Sequence, residues 1–299
     1  MPRTAPLCAA ALIAVSATAL AAQERPGPLV SAEWLAGHLD DPGVLVLQID
    51  GRRDSYDAGH IPGARFIVQS SIVLDTGPGY ELPSPDSVDR VLEAAGVTDD
   101  VHIVITTNSV LAATRLWLTL DWLGHGGHAS ILDGGIPRWT AERRPLVSDA
   151  PAPRRGSFTP RPQPRLLVDS DWIAARLDDP GVTLIDARSD AEYTGADGGM
   201  GGRVHAGHIP GAAHVFADGL VVSRQADPRF LPTAELRSRF EAAGAAPDRE
   251  VVAYCMIGAR ASLDYFVGRM LGYDMRFYDG SWNDWGARDL PYVAGERRR

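Results

Sequence analysis

The sequence predicts an α/β protein made of two copies of one domain, each a mainly parallel sheet flanked by helices. Three observations lead there. The chain repeats itself, strand-length apolar runs alternate with helix-patterned segments inside each copy, and a proline-rich stretch separates the copies. The length of 299 residues agrees, because domains run to about 100–200 residues. With 45% hydrophobic and 22% charged residues the chain can fill sizeable cores, which excludes disorder, and two cysteines exclude a disulfide scaffold.

The first element, residues 1–21, reads as a secretory signal. Arg3 precedes an apolar run at 7–15, and Ala19-Leu20-Ala21 places small residues for cleavage before Ala22. The run is too short to cross about 30 Å of hydrocarbon. Cleavage removes Cys8 and leaves Cys255 alone, so no internal disulfide can form and the thiol is either inert or kept for chemistry. The mature chain is therefore expected in the periplasm or secreted, off the membrane and as a monomer.

The first copy spans 29–142 and the second 166–294. Leu29-Val30-Ser31-Ala32-Glu33-Trp34 returns as Leu167-Val168-Asp169-Ser170-Asp171-Trp172, and Leu39-Asp40-Asp41-Pro42-Gly43-Val44 as Leu177-Asp178-Asp179-Pro180-Gly181-Val182. Asp50-Gly51-Arg52 is echoed by Asp186-Ala187-Arg188, His60-Ile61-Pro62-Gly63-Ala64 by His208-Ile209-Pro210-Gly211-Ala212, and Asp133-Gly134 with Trp139 by Asp279-Gly280 with Trp285. In each copy Trp34, Leu35 and Leu39 (Trp172, Ile173 and Leu177) fit one face of a short helix. Residues 44–47, 101–105, 182–185 and 251–254 are short apolar runs of buried-strand type. Leu263, Phe266, Val267, Met270 and Leu271 share one helical face. Between the copies, residues 143–165 carry Pro145, Pro151, Pro153, Pro160, Pro162 and Pro164, a composition that suits only an extended linker.

Charge narrows the function classes. The formal net charge of −9 argues against nucleic acid as a partner. All 29 basic residues are arginine, which rules out a Schiff-base lysine and a Walker-type phosphate loop. In a parallel sheet the ligand crevice lies at the carboxyl ends of the strands, where both Arg188 and Cys255 would stand.

The stretch Tyr254-Cys255-Met256-Ile257-Gly258-Ala259-Arg260-Ala261-Ser262 leads from a strand into a helix through a tight turn. Gly258 is available for a positive φ, and the backbone N–H groups and helix dipole of such a turn favour a thiolate. Cys255 is thus the candidate nucleophile, with Met256, Ile257, Gly258, Ala259 and Arg260 as its cradle.

The duplicated D-x-R, H-I-P-G-A and C-x-x-G-x-R pattern resembles the tandem-domain rhodanese sulfurtransferases over nearly the whole mature chain. The resemblance implies two rhodanese-like domains, of which only the second is catalytic. In agreement, the position matching Cys255 in the first copy is Thr107, followed by Asn108 and Ser109 without a glycine. It further implies that Cys255 takes the outer sulfur of a small anionic donor as a persulfide and passes it to a small nucleophile, cyanide or a thiol. Arg188 and Arg260 would then hold the anionic donor, as planar guanidinium forks can. Asp186 would fix the turn before Arg188. No cofactor is implied, and no Cys, His and carboxylate cluster has metal-ligand spacing. His60 and His208 recur with and without the cysteine, which makes them turn-forming residues.

Three alternatives bear on this reading. Phosphatases and arsenate reductases with a related cysteine loop hold one residue more between Cys and Arg. A non-enzymatic binding or redox-sensing module would not need Gly258 and Arg260 beside Cys255. Among donors, bulky Met256 and Ile257, with no Arg-Phe pair after Arg188, favour thiosulfate over 3-mercaptopyruvate.

Overall fold

The computed structural model describes residues 26–75, 80–197 and 202–295; the expected signal at 1–21 lies outside them. In the first copy the strands are β1 (Leu29–Val30), β2 (Val44–Asp50), β3 (Arg65–Val68), β4 (Leu74–Asp75), β5 (Tyr80–Glu81), β6 (His102–Thr106) and β7 (Ala129–Leu132). In the second they are β8 (Leu167–Val168), β9 (Val182–Asp186), β10 (Ala213–His214), β11 (Val221–Ser223), β12 (Asp227–Phe230), β13 (Glu250–Tyr254) and β14 (Asp274–Tyr278). Two five-stranded parallel sheets result, β1-β7-β6-β2-β3 and β8-β14-β13-β9-β10, with matching strand order. The pairs β4–β5 and β11–β12 form separate antiparallel ribbons.

Local chemistry sets the ends of these elements. Ser31 caps the helix Ala32–Gly37 by accepting the Trp34 N–H at 3.0 Å, and Asp169 caps Ser170–Ala174 by accepting the Trp172 N–H at 2.8 Å. The apolar runs become central strands buried on both faces, as parallel sheets require. The H-I-P-G-A turns are structural. Each histidine stacks on a tyrosine, His60 on Tyr56 at 3.7 Å and His208 on Tyr193 at 3.8 Å, and donates through Nδ1 to that tyrosine's carbonyl. Their backbones exchange paired hydrogen bonds with Val147 and Val293, which pins the chain leaving each copy. The 143–165 segment runs extended but is not a free spacer. Gly156, Arg161 and Gln163 donate to Glu93, Leu123 and Trp122 carbonyls, and Phe158 is buried in the first copy.

One apolar core passes between the two sheets, while each outer face has its own. At its centre the helices Val110–Trp122 and Ala261–Leu271 meet so that equivalent residues touch one another. Thr114 shares a 2.9 Å hydroxyl contact with Ser262, Trp117 lies 6.5 Å from Tyr265, and Asp121 pairs with Arg269 at 2.9 Å. The ribbons swap across the same local two-fold axis. Leu82 N–H donates to Asp279 Oδ2 at 2.7 Å, and Phe230 N–H donates to Asp133 Oδ1 at 3.0 Å.

Because this core is common property, the two copies are expected to unfold together. Trp117, buried and edge-on to Phe266 at 5.0 Å, tests this. Trp117→Ala should cost about 3–5 kcal/mol and leave a single transition in urea. Two separable transitions, one per copy, would contradict a shared core.

Candidate active site

The site begins with strand register. Tyr254 at the end of β13 lies opposite Asp186 at the end of β9, so Cys255 and Arg188 leave neighbouring strands at the same edge. Cys255 is 1% exposed. The carbonyls behind it are capped by the helix Ser281–Trp285, with Trp282 N–H donating to the Cys255 carbonyl at 2.8 Å and Asn283 N–H to that of Met256 at 2.9 Å. Ser281 makes this possible by taking a left-handed conformation at φ 54°, where the first copy has Gly135 at φ 53°. Its hydroxyl accepts the Cys255 N–H at 3.2 Å and donates to the Tyr278 carbonyl at 2.9 Å, which helps to hold a non-glycine residue in that strained region.

Gly258, at φ +88°, turns the loop back so that its N–H donates to Cys255 Sγ at 3.1 Å. The helix Ala261–Leu271 begins directly beyond, bringing its positive end to the same place. Met256 is buried against the outer core, while Ile257, Ala259 and Arg260 are partly exposed. Thus the loop residues expected around the thiol are all brought together.

The two arginines are placed differently from one another. Arg188 was expected at the anionic donor, yet its side chain is 1% exposed and committed inward. Nε reaches Asp186 Oδ1 at 2.9 Å, and Nη2 reaches Asp186 Oδ2 at 2.6 Å and the Gly207 carbonyl at 2.7 Å. The guanidinium lies 4.6 Å from the Trp282 ring, so it supports the residue that caps the Cys255 carbonyl. Asp186 also accepts the Arg188 N–H at 3.0 Å, folding the turn. Arg260 is bound bidentately by Glu192, Nη1 to Oε2 at 2.6 Å and Nη2 to Oε1 at 2.5 Å, with 20% of its side chain exposed.

Glu192, Ser281 and Asp264 were not singled out from the sequence. Ser189-Asp190-Ala191-Glu192 is a legible capping box, formed here with Ser189, but its link to Arg260 crosses the fold and leaves no sequence signal. Asp264 is fully buried on the helix behind the loop, and neither of its oxygens bonds to another residue. Burial, then the nearby Asp186, holds its carboxyl well above the usual range, which favours its protonated form. Burial alone would raise Glu192 as well. The Arg260 guanidinium, with the Ser189 hydroxyl and N–H, outweighs it and lowers that carboxyl to about 2.

The first copy shows the matching loop without a cysteine. Thr107 stands at the nucleophile position, and Asp50 draws the loop in by accepting the Thr107 hydroxyl at 2.9 Å and the Asn108 N–H at 3.0 Å. Arg52, the counterpart of Arg188, points outward and pairs with Asp54.

Since Glu192 sits below its usual value of 4.5, its contribution to stability is complete above that pH and is lost as pH falls towards 2. Glu192→Gln should remove up to about 3 kcal/mol at neutral pH and flatten the acid limb of a stability–pH curve between 4.5 and 2. Parallel curves for variant and wild type would refute the assignment.

Comparison with known proteins matches this geometry to one family. Residues 31–142 and 169–288 each match the rhodanese-like domain. The chain is 32% identical to the sulfur carrier protein TtuD of Thermus thermophilus, covering 91% of this chain and 98% of that one. It is 30% identical to the thiosulfate sulfurtransferase of Azotobacter vinelandii, covering 84% and 91%. The crystal structure of SseA from Escherichia coli, described among 3-mercaptopyruvate sulfotransferases, superposes with a TM-score of 0.74 at 28% identity, covering 86% of this chain and 99% of that one. The repeated sheet, the Cys255 loop and these relatives together make the chain a member of the rhodanese family of sulfurtransferases, with two rhodanese-like domains.

Proposed function

We propose that the chain moves a sulfane sulfur from thiosulfate to cyanide or a thiol through a persulfide on Cys255. The observation that carries this is the Gly258 N–H aimed at Cys255 Sγ at 3.1 Å, on a loop opening into a helix N-terminus. In the first half-reaction the Cys255 thiolate attacks the outer sulfur of thiosulfate. The Cys S–S bond forms, the donor's S–S bond breaks, and sulfite leaves with that electron pair. In the second, an acceptor nucleophile takes the outer sulfur and the electron pair of the broken S–S bond returns to Cys255.

The Gly258 N–H and the helix N-terminus beyond it stabilise the anionic sulfur in both half-reactions, as preorganised backbone dipoles do. Arg260, anchored by Glu192 but partly exposed, is the cation that meets the incoming anion. Arg188, buried on Asp186, acts by supporting Trp282. By the resemblance to the family, the lack of an Arg-Phe pair after Arg188 supports thiosulfate as donor. The apolar run at 7–15 and the Ala19-Leu20-Ala21 triplet support export.

Cys255→Ser should abolish turnover with an unchanged circular dichroism spectrum, because a hydroxyl without an activating base is a poor nucleophile. Full turnover by the purified serine variant would end this mechanism. A kcat/KM for thiosulfate at least tenfold above that for 3-mercaptopyruvate is expected, and the reverse order would reassign the donor.

For Arg188→Ala, persulfide formation and its discharge by cyanide should slow by similar factors, because both use the same supported loop. Rapid mixing reads each step separately. Selective loss of the thiosulfate step would return Arg188 to the donor-binding set.

A further inference from the structure

The first copy is inert in sequence, yet it sends one cation into the second. Arg115, on the helix Val110–Trp122, is 0% exposed. Its Nη2 donates to the Tyr80 carbonyl at 2.8 Å and to Asp279 Oδ1 at 2.9 Å, and its guanidinium lies 5.3 Å from the Phe277 ring. Its Nε and Nη1 are buried and find no partner. Nη1 is 3.2 Å from the point that a Cβ on Gly258 would occupy, with the Asp279 carbonyl and Oδ1 at 3.3 and 3.4 Å from it. The unpartnered end of a buried guanidinium therefore abuts the residue whose N–H donates to Cys255 Sγ.

The local two-fold makes the placement informative. Where Thr114 meets Ser262, the counterpart of Arg115 one residue on is Leu263, buried and apolar. The copy with the cysteine receives a cation from its neighbour, and the copy without it receives none at the matching position. A buried arginine with unused donors is costly to keep for packing alone.

We propose that Arg115 is a positioning residue for sulfur transfer: it braces Gly258 from the other copy and lends its positive charge to the anionic sulfur held on Cys255. This rests on the sulfur-transfer reading. The other charges around the loop are already balanced. Arg188 is matched by Asp186 and Arg260 by Glu192, both bidentately. Burial first of all raises Asp264 and Tyr254 and favours their neutral forms. Asp279 faces Arg115 with one oxygen and takes the Leu82 N–H with the other. Arg115 has its own partner in Asp279 and joins Arg260, whose charge interacts with Cys255, as a second cation beside the loop, reaching Gly258 through Nη1.

The test is the pH profile of Cys255 alkylation by iodoacetamide, read on the Cys255 peptide by mass spectrometry, for wild type, Arg115→Met, Arg115→Lys and Asp279→Asn. Arg115→Met should move the profile up by about one pH unit and slow persulfide formation about tenfold. Arg115→Lys should restore part of the shift but not the full rate, because it keeps charge without the planar fork. Asp279→Asn should move the profile down, since it leaves Arg115 less neutralised. A folded Arg115→Met protein whose profile coincides with wild type overturns the proposal, as does any Asp279→Asn profile that fails to move down. Should Arg115→Met not fold, the Asp279→Asn profile alone decides. Wild-type protein that forms no persulfide with either donor would refute the sulfur-transfer reading, which the alkylation profiles do not depend on.

Discussion

A parallel sheet delivers a strand to its carboxyl edge and a helix takes the chain away, and the helix normally begins at once to spend its N–H groups on caps and carbonyls. In the second copy that beginning is delayed from Cys255 to Ala261. The backbone donors that would have entered a helix remain at the edge, and one of them meets Cys255 Sγ. In the first copy the matching residues are already helical from Val110, and Asp50 absorbs what little loop remains. The delay must be held open from below. Ser281, Trp282 and Asn283 do this by satisfying the loop's N–H and carbonyl groups without filling its mouth. Arg188 and Asp186 then stand as the floor beneath Trp282, and Glu192 as the tether of Arg260.

The two copies divide the work unequally around one axis. Their swapped ribbons close on the Asp-Gly turns of the opposite copy, so the turn that supports the Cys255 loop is held by the first copy as well as by its own. Asp279 joins these functions: it receives Leu82 and Arg115 from the first copy, and its backbone leads into Ser281. The copy without the matching cysteine thus contacts the turn beneath the Cys255 loop.

Much of this was legible in the sequence because it is local. Apolar runs, caps and turn residues act within a few positions of themselves, so the duplicated α/β fold, its strands and the Cys255 loop could be read from spacing. The Asp186 turn was equally local. What escaped was the partner of each arginine. D-x-R announces a guanidinium at the sheet edge, but its direction depends on Gly207 and Trp282, which the chain brings from elsewhere. The Arg260–Glu192 bridge and the Arg115 insertion are likewise long-range in sequence. Arg115 was further hidden by its position in the copy that lacks the cysteine.

The pairing of Thr114 with Ser262, Trp117 with Tyr265 and Asp121 with Arg269 has the form of an isologous contact, the kind that joins two identical subunits. Each copy offers the same helix face, but Asp121 against Arg269 makes the fit one of unlike partners. In such an arrangement the covalent connection is not needed to define the fit; it raises the local concentration of one half around the other. A symmetric dimer must change both of its sites whenever it changes one. A single chain carries no such symmetry, so Thr107 and Cys255 can stand at matching positions of its two halves.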